Sequence, residues 1–454
     1  MTNGAFARAY SRGVTEQLGP PKHPRVRALP IGPFSLRGAV ITPDGLMSDG
    51  YVTVDGGVIQ AVSRKKPDSV DVVDTKGVIV PGLLDLHNHP EFNVFAPWEP
   101  PRTYANRYAW RGSDTYQALV RDPQNKLISA LPPQTQSRYA EVRALIAGVT
   151  GIQGASRAST TTVEPLVRNL DLWTLDQHKA RSMIDLPSAS GRDLVRLKAI
   201  LEGIHAGDIT AFYLHLCEGQ RGNERSANEF RRFIDLDVAT SATVVIHGSA
   251  LSAPDIHELA DAGCKLVWSP QSNLRLYQET TLAGEAIAAG MQVALGADWM
   301  PSGSLSLLAE MKVARRELAR QGHPITAREL VAMVTSVAAS IAGFGDKLGA
   351  LARGRVADLV VFERHHEDPY ENVCIADPSW IELVCIGGDI TYGRADWFQR
   401  LSANAASPTI EDLVAWGKPM RLDTGFQSAP DPMSLTKIRQ LLTTEYPPVG
   451  PIFA

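Results

Sequence analysis

VPGLLDLHNHPEF, residues 80–92, runs from an apolar stretch straight into two histidines one residue apart. A strand buried on both faces reads as a near-continuous apolar run. On an extended chain alternate side chains share a face, so His87 and His89 are expected about 6–7 Å apart on one side, with Asn88 opposite. Two imidazoles so placed can converge on one metal ion. Alone, the pattern is equally that of two packed or surface histidines.

Other apolar runs along the chain end in the same way. ITAFYLHL (209–216) closes near His215, ATVVIHGS (242–249) near His247, and QVALGAD (292–298) on Asp298. GVTGIQG (148–154) and CKLVWSP (264–270) have the same strand texture. Helical patterns such as ANEFRRFIDL and APDIHELADAG lie between them, the second closing on a glycine. This strand–helix alternation over residues 81–345 predicts a (β/α)8 TIM barrel, with a doubly wound sheet as the competitor. In a barrel the C-terminal strand ends meet at one face, where polar groups are costly unless paired, and a shared divalent cation satisfies several at once.

Glu218 follows His215 by three residues in HLCEG, far enough past the strand end to overhang that face. A carboxylate there can move a proton between water and a leaving nitrogen.

Outside the barrel, β-branched runs broken by Gly, Asp and Pro occupy 34–80 and 346–420, predicting a small composite β-sandwich domain built from both ends of the chain. Residues 1–33 read as an irregular N-terminal arm and 421–454 as a C-terminal extension. LVAMVTSVAASIAGFG (330–345) reads as one buried helix packed against the barrel.

Composition limits the function classes. With 454 residues, 44% hydrophobic and 21% charged, the chain has the make-up of a soluble globular protein. No apolar run reaches the roughly 18 residues needed to span a bilayer, so no membrane partner is expected. The net charge of −4 and the absence of a Lys/Arg cluster argue against a nucleic-acid surface and leave a small-molecule substrate as the expected partner. Four scattered cysteines without a CxxC pair fit reduced thiols in a cytoplasmic protein. The opening MTNGAFARAYSRG lacks the apolar segment of a secretory signal, a mitochondrial presequence being the alternative.

These motifs together resemble the amidohydrolase superfamily over nearly the whole chain. PGLLDLHNH is similar to its first-strand motif, HLCEG to the fifth-strand His-x-x-Glu, IHG to the sixth-strand histidine and LGAD to the eighth-strand aspartate. LGALARGRVADLVVF resembles the return into that family's sandwich, and SPQSNLRL (269–276) the seventh-strand segment of its aminohydrolase branch. The resemblance implies that His87, His89, His215 and Asp298 hold one divalent metal per chain, most often Zn2+ and sometimes Fe2+ or Mn2+. It further implies that Asp298 also takes the water's proton, that Glu218 shuttles protons and that His247 hydrogen-bonds the attacking oxygen or the substrate. The bridging lysine of binuclear members has no convincing counterpart, since Lys179 precedes ARSMI and Lys198 lies in a helical stretch. The expected activity is hydrolysis of a carbon–nitrogen bond other than a peptide, by an aminohydrolase (deaminase) of an amino-heterocycle or cyclic amidine. Opening of a lactam or cyclic amide is the alternative, and a non-catalytic barrel paralogue the competitor from another class.

Three further residues are candidates for substrate binding: Gln153, Asn273 and Trp299, the first two able to donate and accept hydrogen bonds to a heterocycle and the third able to form a flat wall. The aromatic and Arg-rich segment 92–116 reads chiefly as a contact in a homo-oligomer, a dimer or higher, and secondarily as a cover over the barrel mouth.

Overall fold

The computed structural model describes residues 32–453 apart from 133, 155–164, 173, 188–189, 403–408, 425–433 and 450–451, so the N-terminal arm lies almost wholly outside the described residues. In chain order the strands are β1 (Phe34–Thr42), β2 (Gly45–Asp55), β3 (Val58–Ser63), β4 (Asp71–Pro81), β5 (Leu83–Asp85), β6 (Val149–Ile152), β7 (Arg168–Asn169) and β8 (Ala180–Met183). They continue with β9 (Ala211–Leu216), β10 (Thr243–His247), β11 (Lys265–Trp268), β12 (Val293–Leu295), β13 (Leu359–Phe362), β14 (Ile381–Ile386), β15 (Asp389–Arg394), β16 (Ile410–Ala415) and β17 (Lys418–Asp423).

Both ends of the chain contribute to one nine-stranded sheet, ordered β16-β17-β15-β14-β13-β4-β1-β2-β3. Its strands alternate between two cores, as a period of two requires. Ile79, Leu359, Val361, Leu383 and Cys385 face a cluster with Phe34, Leu36, Val52 and Phe398. Their neighbours Val78, Val80, Val360, Phe362 and Val384 face the large central core.

The remaining strands form two parallel sheets, β5-β6-β7 and β12-β11-β10-β9-β8. All residues of β9 and β10 are buried, which explains why they are apolar apart from Thr243 and the two histidines. Between β9 and β10 runs the helix Glu224–Asp235, capped by Asn223 and burying Phe230 and Phe233. Between β10 and β11 the helix Ala253–Asp261 starts with a capping box of Ser252 and Asp255. The two parallel sheets meet where Leu86 N donates to Leu295 O at 3.2 Å and Asp298 N to His87 O at 2.8 Å. β7 and β8 share no ladder among the described residues.

The stretch 330–345 is not one helix. It divides into Ala327–Met333 and Ser336–Ile341, broken at Val334–Thr335. Thr335 leaves the helical region at φ −130°, ψ −94°, and its hydroxyl donates to Val331 O at 2.7 Å. A β-branched pair whose hydroxyl competes for a helix carbonyl favours such a break. Among the described residues no helix is long and apolar enough to cross a membrane.

One ion pair fastens the parallel strands to the large sheet. Arg168 in β7 grips Asp358, beside β13, with Nε–Oδ2 at 2.6 Å and Nη2–Oδ1 at 2.8 Å, both residues largely buried. Removing one partner of such a pair leaves an uncompensated charge, so Asp358→Ala is expected to lower unfolding stability by about 3–5 kcal/mol in chemical denaturation. A loss below about 1 kcal/mol would show that the pair is no fastening.

Candidate metal and acid–base centre

The β5 strand ends at Asp85, so His87 and His89 lie in a bend beyond it and not on the strand face that the alternation assumed. What brings them inward is Asp85. Its Oδ1 accepts from Ala297 N at 3.1 Å and His87 N at 3.3 Å, and its Oδ2 from Asn88 Nδ2 at 2.7 Å. Burial pushes this carboxyl up to about 6. The clamp draws the exit of β12 against the exit of β5, an approach that Gly296 permits because a Cβ there would stand 2.4 Å from the His87 Cβ.

His215 shares the face of β9 that carries Ala211 and Tyr213, which pack in the inner cluster with Ile246 and Val267. His247 and Asp298 reach the same place through left-handed backbone, φ 66° and 60°, as does Cys217 between His215 and Glu218 at φ 50°. Non-glycine residues in that region cost on the order of 1–3 kcal/mol each, and such strain clusters at functional sites.

The four imidazoles gather tightly, with His87 ring centroids 4.9 Å from His89, 4.8 Å from His215 and 4.9 Å from His247. Asp298 Oδ1 lies 3.2 Å from His87 Nε2 and 3.7 Å from His89 Nε2. Burial drives His89 and His247 down to about 3 and His215 well below its ordinary value, so these rings are neutral with lone pairs available. Burial pushes the Asp298 carboxyl up, but the facing His87, His247 and His89 outweigh it and leave an anion.

These residues fit a divalent cation. Ligand atoms of His87, His89 and His215, and those of His87, His247 and Asp298, all lie within 4.8 Å of one another within each group. His215 Nδ1 is buried without a hydrogen-bond partner among the described residues, which is costly for a polar atom that nothing else satisfies. Neutral imidazole with one carboxylate is the donor set of zinc, and also suits iron or manganese.

A chain of hydrogen bonds sets the tautomer of His247. The Trp268 indole N–H, which can only donate, reaches Thr280 Oγ1 at 2.7 Å, and Thr280 Oγ1 donates to Asn273 Oδ1 at 3.3 Å. Asn273 Nδ2 therefore faces His247 Nδ1 at 3.1 Å, making Nδ1 the acceptor and leaving the proton on Nε2. Asn273 thus touches His247. Its Nε2 in turn stands 3.8 Å from Glu218 Oε2, while Glu218 Oε1 accepts from Tyr277 at 2.6 Å. Burial raises the Glu218 carboxyl above its ordinary value, favouring the proton-carrying form.

Gln153 is buried with Nε2 on Asp171 Oδ1 at 2.9 Å and its Oε1 free of a partner among the described residues. Trp299 is buried in an aromatic group with Phe92, Trp98, Trp110 and Tyr116, at ring centroid distances of 5.6, 6.0, 5.3 and 6.1 Å. Most of the segment expected to form an oligomer contact is thus folded onto its own chain. Arg107, only 2% exposed, anchors it through Glu229 at 2.9 Å and Asp185 at 2.8 Å.

Asp85, Glu229 and Tyr277 are neighbours of the centre that sequence reasoning passed over. Asp85 alone left a signal, as a carboxylate inside the apolar run LLDLH.

The Amidohydrolase family model matches residues 196–391. A 5-methylthioadenosine/S-adenosylhomocysteine deaminase of Teredinibacter turnerae is 24% identical over 325 residues, 64% of this chain and 73% of the relative. An adenosine deaminase of Xanthomonas campestris with bound zinc superimposes with a TM-score of 0.64 at 17% identity, covering 91% of this chain and 98% of the other. The zinc complex of an atrazine chlorohydrolase from Arthrobacter aurescens reaches 0.65 at 16% identity, covering 92% and 100%.

His215→Ala is expected to weaken metal binding by more than the roughly 10–100-fold that loss of an outer-shell partner costs. Mass spectrometric metal analysis after dialysis measures it, and full occupancy would remove His215 from the ligand set.

Proposed function

We propose that the chain is a member of the amidohydrolase family, a hydrolase of carbon–nitrogen bonds other than peptide bonds, and within it a metal-dependent aminohydrolase that exchanges the amino group of an adenine-type ring for oxygen. The observation that carries this reading is the convergence of neutral imidazole nitrogens with one anionic carboxylate, beside a carboxyl inclined to hold a proton. An adenine-type substrate is supported by the relative named as a 5-methylthioadenosine/S-adenosylhomocysteine deaminase. Phe92, whose ring centroid lies 6.5 Å from that of His89, is an aromatic side chain placed to contact a planar ring.

The ligands in this reading are His87, His89, His215 and Asp298, and His247 stays outside the set because its Nε2 carries a proton. Zinc is the preferred ion, supported by the zinc in both similar structures. The eight parallel strands β5–β12 are read as a closed (β/α)8 barrel over 81–345, supported by the β5–β12 hydrogen bonds, with 34–80 and 346–420 as the composite β domain.

When bound, the cation supplies a Lewis acid that makes water a nucleophile near neutral pH. Asp298 accepts the proton that water gives up. His247 Nε2–H donates to the oxygen developing on the attacked carbon. Glu218 delivers its proton from Oε2 to the ring nitrogen, takes up the proton of the added hydroxyl at the same oxygen and passes it to the departing amine, and the proton held by Asp298 then reloads Glu218, so that ring C–NH2 and water become C=O and ammonia.

Incubating the zinc-loaded protein with 5′-methylthioadenosine, S-adenosylhomocysteine and adenosine should give, by mass spectrometry, a product with NH exchanged for O. A product that has gained a whole water would overturn the reading in favour of ring opening. Glu218→Gln should lower kcat by about 10²–10⁴-fold while metal content is unchanged; loss of metal in that variant would reassign Glu218 as a ligand.

A further inference from the structure

The helix Pro270–Tyr277 presents Asn273 and Tyr277 one turn apart, and each holds one acid–base group of the centre. Asn273 has its place in the argument above. Tyr277 does not. Its ring is fully buried, its hydroxyl donates to Glu218 Oε1 at 2.6 Å, and it accepts from Trp110 Nε1 at 2.8 Å.

Directionality here follows from the donors. An indole N–H cannot accept, so the phenol proton is committed to Glu218 Oε1. Burial, with the Glu218 charge adding to it, holds the Tyr277 hydroxyl well above its ordinary value, so it keeps that proton. Oε1 is thereby occupied as an acceptor, and Oε2 is the oxygen that faces His247 Nε2 at 3.8 Å.

The same covering segment that carries Trp110 also grips the backbone of Glu218. Arg107 N donates to Glu218 O at 3.1 Å, and Asn106 forms a β-bridge with Gly219. Main chain and side chain of Glu218 are therefore both fixed by the seating of one short helix, Arg107–Arg111.

We propose that Tyr277 is a positioning residue for the reaction: held by Trp110, its hydroxyl keeps Glu218 Oε1 an acceptor, so that the mobile proton is taken up and released at Oε2 alone. Tyr277 itself neither gains nor loses a proton over the cycle. The inference rests on the aminohydrolase reading for the direction of proton flow, and on the hydrogen bonds alone for the placement of Glu218.

The test compares Tyr277→Phe, which keeps the ring and removes the hydroxyl, with Trp110→Phe and Glu218→Gln. Tyr277→Phe is expected to lower kcat for the adenine nucleoside that the wild type turns over by roughly 10- to 100-fold, part of what a positioned acid–base group supplies. KM should stay within about twofold and metal content should not change, while the melting temperature falls modestly because the buried Trp110 N–H loses its acceptor. In the Glu218→Gln background the same substitution should have no further effect, because it acts through Glu218. Wild-type kcat in Tyr277→Phe, or an undiminished effect in the double variant, would overturn the proposal. If Tyr277→Phe fails to fold, Trp110→Phe decides: a several-fold fall in kcat at constant metal content supports it, and none overturns it. Crystal structures of the wild type and the variants give a readout without turnover, since the Glu218 carboxyl should leave its wild-type position in Tyr277→Phe and an unmoved carboxyl would overturn the proposal. Should the wild type deaminate none of the three nucleosides, the functional reading falls and this crystallographic comparison still decides the role of Tyr277.

Discussion

Everything at the centre depends on the carboxylate of Asp85. One buried group accepts from Ala297 N, His87 N and the Asn88 amide, and so ties the exit of the first parallel strand to that of the last. Burying a carboxylate is expensive, and the three donors offset the cost only while both exits stay together. With that tie in place His87 and His89 face Asp298, and the remaining histidines arrive from β9 and β10. The large sheet is fastened independently, by Arg168 and Asp358 on the far side of the parallel strands.

The centre is built by exclusion of water. Neutral imidazoles, an anionic carboxylate and a carboxyl raised above its usual range stand within a few ångströms, and burial is the first cause of each shift but that of Asp298. Such differences in environment let two carboxylates of similar intrinsic acidity take opposite roles. Asp298 is surrounded by imidazoles and stays charged; for Glu218 burial outweighs Arg107 and the Tyr277 hydrogen bond, and it leans toward the neutral form. The segment 92–116 packs on Trp299 and reaches Glu218 through the bonds Trp110–Tyr277 and Tyr277–Glu218.

Much of this was legible in the sequence, and for physical reasons. Strands buried on both faces have to be apolar throughout, so His215, His247 and Asp298 stood out as polar interruptions at their ends. The mixed β texture at both chain ends matched a sheet that draws on both. What escaped was set by contacts between distant residues. The Tyr277–Glu218 bond spans 59 positions and the Trp110–Tyr277 bond 167, so neither leaves a local pattern. In composition the aromatic segment favoured an oligomer contact over a cover, and its packing against Trp299 left no local pattern. The break at Val334–Thr335 lies in a run whose apolar content is helical throughout, and a single hydroxyl bond to Val331 decides it. His87 and His89 were found through the wrong geometry, since a bend and not a strand pleat brings them together.

The most direct test of the central claim is to run the reaction in H2(18)O and locate the heavy oxygen in the product by tandem mass spectrometry. The account predicts one 18O on the ring carbon that lost its amine, with ammonia released in equal amount. Heavy oxygen accompanying an intact amine, or ammonia release without 18O on the ring, would contradict it.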